Sequence, residues 1–217
     1  MSYTLGSVLQ DVAAFINQDP AEETGSALTS EVQLANLAQN EWADTYQWSQ
    51  LKTRFTPTFT YSGSSLGLQS NFKKVMTPLY DVSQSPPVIY QQIDSQDRFA
   101  RDSSEYYFYT QGNEVTGKSL FINPPLASGA SLSLDVQIYP SSLATTNDIV
   151  TCPSRPFMVA RVISKVLAAR SDPRFPTLKA ESDELLDAMI EEEATPSGGE
   201  INITKDYYTS RGFRIGS

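Results

Sequence analysis

Three adjacent carboxylates, Glu191, Glu192 and Glu193, are the side chains best suited by type to hold a metal ion or to exchange protons. Either task needs a second cluster of ligands or an acid–base partner at matching spacing. None accompanies them, so a solvated acidic helix end is the favoured reading. Cys152 offers a thiol, but a nucleophilic thiol needs a neighbour that lowers its pKa, and the chain has no histidine. It also precedes Pro153 where the hydrophobic period changes, which suits a structural junction. The run Tyr106-Tyr107-Phe108-Tyr109 has the stacking chemistry of a sugar or base platform. Its competitor is a strand buried on one face and contacting a neighbour on the other. Gly112-Asn113-Glu114 and Ser128-Gly129-Ala130 are turn sequences, and neither matches a phosphate-cradling loop.

Composition narrows the chemistry further. The chain has 217 residues, 1 cysteine and a net charge of −9. A single cysteine excludes an internal disulfide and a Cys-rich zinc site, and the lack of histidine removes the commonest general base and metal ligand. An acidic chain does not neutralise phosphates, which argues against sequence-independent binding to the outside of nucleic acid. No apolar run approaches a membrane span, and the N-terminus lacks a basic-then-apolar signal pattern. The expectation is a soluble protein made in the cytoplasm, with no enzymatic activity, cofactor or metal.

One further group has binding chemistry. Lys205, Tyr207, Tyr208, Arg211, Phe213, Arg214 and Ile215 lie in a C-terminal stretch too poor in apolar residues to fold alone, after the linker Ser197-Gly198-Gly199. Aromatic and arginine side chains carry much of the energy of protein interfaces, so these residues read as a docking arm.

The elements that position these groups follow from hydrophobic period. Residues 28–51 read as one long helix with Leu34, Leu37, Ala38, Trp42 and Tyr46 on a stripe. Residues 4–18, 154–170 and about 176–193 read as its helical partners. The last two differ in charge: Arg155, Arg161, Lys165 and Arg170 on one, seven acids and no base over 181–193 on the other. These helices either attract each other or face different neighbours. From Lys52 the period becomes that of strands, with Phe55, Phe59 and Tyr61 alternating with threonines and later strands divided by Gly, Pro, Asn and Ser turns. Residues 95–102 read as a helical turn between two strands. The predicted fold is α+β: an antiparallel bundle of about four helices (1–52 and 152–193), an inserted antiparallel β sandwich or barrel-like domain (53–151), and a linker with an extended arm (194–217).

In order along the chain, several stretches resemble the head-tail connector, or adaptor, proteins of tailed bacteriophages. They are the helical hairpin ending in Trp48-Ser49-Gln50-Leu51, the segment LGLQSNFKKVMTPLYD, then Tyr109-Thr110-Gln111-Gly112-Asn113, Leu120-Phe121-Ile122-Asn123-Pro124-Pro125 and Leu134-Asp135-Val136-Gln137-Ile138-Tyr139-Pro140, followed by two closing helices. The resemblance covers residues 4–193. It departs at Gly67, where the family often has proline, and the final arm has no counterpart. It implies a structural virion protein of the neck, between head and tail: a homo-oligomeric ring of twelve copies beneath the portal protein, extending the DNA channel and offering a surface to a tail or nozzle protein. Viral DNA would pass without specific binding. The arm would then dock on the portal or an adjacent subunit, and the acidic helix over 181–193 would line the channel or face solvent. A carbohydrate- or receptor-binding β module of a virion or tail is the alternative suggested by the tyrosines; an enzyme with a carboxylate-only site is the third.

Overall fold

A computed structural model of the chain describes residues 2–16, 26–58, 63–113 and 117–195. The chain is α+β. Its first helix, α1 (Leu5–Phe15), starts where the Thr4 hydroxyl accepts the Ser7 N–H at 3.4 Å, and it buries Leu5, Val8, Leu9 and Val12 at helical spacing. Helix α3 (Arg155–Ala169) is capped in the same way by Ser154, with Pro156 in its first turn, where the missing N–H costs no hydrogen bond. It is buried on most sides, through Phe157, Met158, Val162, Ile163, Val166 and Leu167. Helix α4 (Phe175–Ala194) packs on α3 and buries only Ser182 and Leu186 fully.

The long helix is shorter than expected. α2 (Ser26–Thr45) stops six residues before Leu51, and Ser49–Leu51 forms a separate 3-10 turn. Trp48 is the cause: it folds back to stack on Trp42 at 5.1 Å and donates its indole N–H to the Trp42 carbonyl at 2.6 Å. Carbonyls at the freed helix end are taken by side chains of the sheet, the Lys73 ammonium donating to Ala43 at 2.6 Å and the Gln137 amide to Tyr46 at 3.1 Å. Of the expected stripe, Ala38 and Trp42 are buried, joined by Ala35, while Leu34 and Tyr46 are partly buried against the helical core. Leu37 is 52 % exposed, because it lies about a third of a turn away from that stripe.

The expected four-helix bundle does not form. α1, α2 and α4 each pack on α3, but α1 and α2 meet only marginally. Part of what a bundle's helices would bury is supplied instead by an extended strap, residues 141–152, which gives Leu143, Val150 and Cys152 to the helical core. Side chains of α2 hold this strap as backbone would. Asn36 accepts the Leu143 N–H and donates to the Leu143 carbonyl, both at 2.8 Å, while Gln39 accepts from the Thr151 N–H and donates to the Ser141 carbonyl. Between those two points the middle of the strap pairs with the start of α1, where the Leu5 and Gly6 N–H groups donate to the Asp148 and Thr146 carbonyls.

Nor are the strands an antiparallel sandwich or closed barrel. β1 (Lys52–Phe55), β2 (Gly63–Gly67), β3 (Phe72–Val75), β4 (Leu79–Asp81), β5 (Val88–Gln92), β6 (Tyr107–Asn113), β7 (Gly117–Leu126) and β8 (Leu132–Ile138) form one curled, mixed sheet resembling a half-barrel. Its order is β1-β8-β4-β5-β6-β7-β2, with β3 also paired to β8. The β5–β6 pair is parallel, because residues 93–106, including the 3-10 turn Asp97–Ala100, carry the chain across before β6 begins. A second apolar core, with Phe72, Leu79, Tyr90, Phe108, Leu120 and Leu132, fills the curl.

Candidate functional site

The oppositely charged helices do attract each other. Arg161 of α3, nearly buried, donates to the Asp183 carboxylate at 2.6 Å, and Lys179 reaches the same carboxylate at 2.9 Å from one turn away. Glu41 of α2 completes the seam with Arg161 and Lys165. Desolvation pushes the Asp183 carboxyl up, but the hydrogen bonds from Lys179 and Arg161 and their charges outweigh it, so the group sits below the ordinary carboxylate range. This seam uses the inward acid of α4 and leaves the outward ones. Glu181, Glu184, Asp187, Glu191 and Glu192 are all exposed, and 181–193 contains no base.

The three glutamates are therefore divided. Glu191 and Glu192 face solvent, whereas Glu193 accepts the Ser49 N–H at 2.7 Å, satisfying the 3-10 turn that follows α2. Among the described residues no group of three or more acidic, cysteine or histidine side chains could hold a metal ion. Cys152 is fully buried, and burial pushes its thiol up to about 12, the reverse of what a nucleophile needs.

The aromatic run does not make one open platform. Phe108 lies in the sheet core, Tyr106 packs edge-on against buried Tyr90, and Tyr109 stacks on Phe121 at 5.2 Å. On that outer face a cation extends the stack: the Arg98 guanidinium lies 5.3 Å from the Tyr109 ring and 4.6 Å from Phe99, which is 82 % exposed.

Among the described residues, two of the concavities lie beside the helices. A polar cleft of about 1190 Å³ opens between α2 and the sheet, with Asn40, Asp44, Asn71, Lys118 and Tyr139 in its walls. Lys73 pairs with Asp44 of this wall at 2.8 Å and lies over the Tyr139 ring. Sequence reasoning missed this cleft because its walls come from segments far apart in the chain with no shared motif. The second is an apolar groove of about 330 Å³ between α1, α3 and α4, walled by Phe15, Val159, Ile163 and Leu178 and edged by Glu181. Lys205, Tyr207, Tyr208, Arg211, Phe213, Arg214 and Ile215, read from sequence as a docking arm, lie outside the described residues.

No protein-family model matches the chain, and no curated protein does. No helix among the described residues is long and apolar enough to cross a membrane.

Proposed function

We propose that this chain is a structural virion protein, a head-tail connector that assembles as a ring of twelve copies beneath a phage portal, extends the DNA channel and presents a surface to the tail. The observation that carries this reading is the outer face of α4, where five exposed acids, from Glu181 to Glu192, spread over roughly 17 Å of helix with no base between them. A wall of that kind repels phosphate and lets DNA slide past without holding it. The ordered sequence resemblance over residues 4–193 supports the same reading. In such a ring the arm residues Lys205, Tyr207, Tyr208, Arg211, Phe213, Arg214 and Ile215 contact the portal or an adjacent subunit.

The test is the assembly state of the purified full chain, by native mass spectrometry and electron microscopy, alone and after mixing with portal particles. A twelvefold ring on the portal supports the proposal. A chain that stays monomeric and leaves the portal bare refutes it.

A further inference from the structure

We infer that in the free protein the groove between α1, α3 and α4 is occupied by the chain's own C-terminal segment, residues 205–215, folded back along the acidic face of α4. This inference does not rest on the connector reading. The groove has the makings of a docking site for an aromatic side chain: Val159, Ile163 and Leu178 line it, and Phe15 stands at its edge 40 % exposed. Its polar rim is the Asp11–Arg155 ion pair at 2.8 Å on one side and Glu181 on the other. From Glu181 the acidic face continues through Glu184, Asp187 and Glu191 towards the point where the described chain leaves the helix, at Thr195.

Charge and length select the occupant. Residues 207–217 carry Tyr207, Tyr208, Phe213 and Ile215 as apolar anchors, with Arg211 and Arg214 and no acid. That composition complements an apolar groove approached along a row of carboxylates. Fourteen residues of helix separate Glu181 from Thr195, roughly 21 Å at 1.5 Å per residue. Residues 196–206 can span up to about 36 Å when extended, so the segment reaches the groove with slack. Pro196-Ser197-Gly198-Gly199 supplies turn residues for the reversal. A tether of this length holds the segment near its groove at an effective concentration of about millimolar, which favours the chain's own arm over a neighbour's at ordinary protein concentrations.

The experiment uses full-length chains and a fluorescent synthetic peptide of residues 203–217, with binding read by anisotropy. One recipient is the wild type. The second carries Tyr207→Ser, Tyr208→Ser, Phe213→Ser and Ile215→Ser, which strips the arm of its anchors, and the third adds Phe15→Ser and Glu181→Lys to those four. The peptide should bind the second protein at least tenfold more tightly than the wild type, whose groove is filled, should lose affinity as salt is added, and should not bind the third. In a separate full-length chain, Glu181→Cys paired with Phe213→Cys should oxidise to a crosslinked monomer. Equal binding to wild type and anchor-stripped protein, binding to neither, or crosslinks formed only between chains would each overturn the inference. All of these readouts are made without portal, so they succeed or fail independently of the connector proposal.

Discussion

At the scale of single residues, the molecule's reactive-looking groups serve structure. Cys152 has no exposed surface and a thiol pushed up to about 12, so at pH 8 it should resist iodoacetamide in the native protein and alkylate rapidly in denaturant. Fast native alkylation, followed by mass spectrometry, would contradict its burial. Trp42 is fully buried and stacked on Trp48, and Trp42→Ala should cost about 3–5 kcal/mol, seen as a lower denaturant midpoint. At the turn between α3 and α4, hydrogen bonds from the Arg174 side chain and backbone hold the Asp172 carboxyl at about 2, below the usual value of about 3.9. A depressed carboxylate stabilises the fold fully above its unfolded pKa, and that contribution is lost as pH falls through the folded one. NMR titration should therefore place Asp172 near 2, and Arg174→Ala should return it towards the ordinary range.

At the scale of elements, what the sequence showed and what it hid have physical causes. α1, α3 and α4 were legible because each carries a 3.6-residue apolar stripe and, in α1 and α3, a hydroxyl cap. The end of α2 was not, since its sequence continues the stripe to Tyr46 and only the return of Trp48 onto Trp42 breaks the helix. The strap over 141–152 was equally hidden. Polar and without period, it belongs to the helical core because Asn36 and Gln39 receive it, one turn apart on α2. Replacing Asn36 with Leu strands the N–H and carbonyl of Leu143, and should cost about 1–3 kcal/mol with an unchanged denaturant slope. A loss near zero would mean that water takes over both bonds. The parallel β5–β6 pair was hidden because alternation within a strand says nothing about the direction of its neighbour. Of the site, the charge contrast between the last two helices was legible; the apolar groove and the polar cleft needed the tertiary fold to exist.

At the scale of the whole molecule, the helical layer and the curled sheet are joined by polar contacts, with Lys73 on the end of α2 and Gln137 on the Tyr46 carbonyl. Both tryptophans lie on the helical side, so their fluorescence reports that layer, while amide exchange along β8 reports the sheet. In the wild type the two should unfold at one denaturant concentration, and Lys73→Ala should pull them apart; separate transitions in the wild type would show that the junction does not couple them. The arm can be tested at this scale too. On the proposed connector role, a chain ending at residue 199 should attach poorly to DNA-filled heads that lack their own connector at temperatures well below its melting transition, which loss of the arm from its groove should itself lower; attachment equal to the full chain would remove the docking role. Finally, α3 is the helix on which α1, α2 and α4 all pack, and it arrives only after residue 154, while the Tyr3 hydroxyl donates to a carbonyl 149 positions later. During synthesis the first two helices must wait for α3 until the whole sheet and the strap that follows it have left the ribosome. So high a contact order makes for slow folding, because the helical core cannot close before the strands and the strap between α2 and α3 have been made.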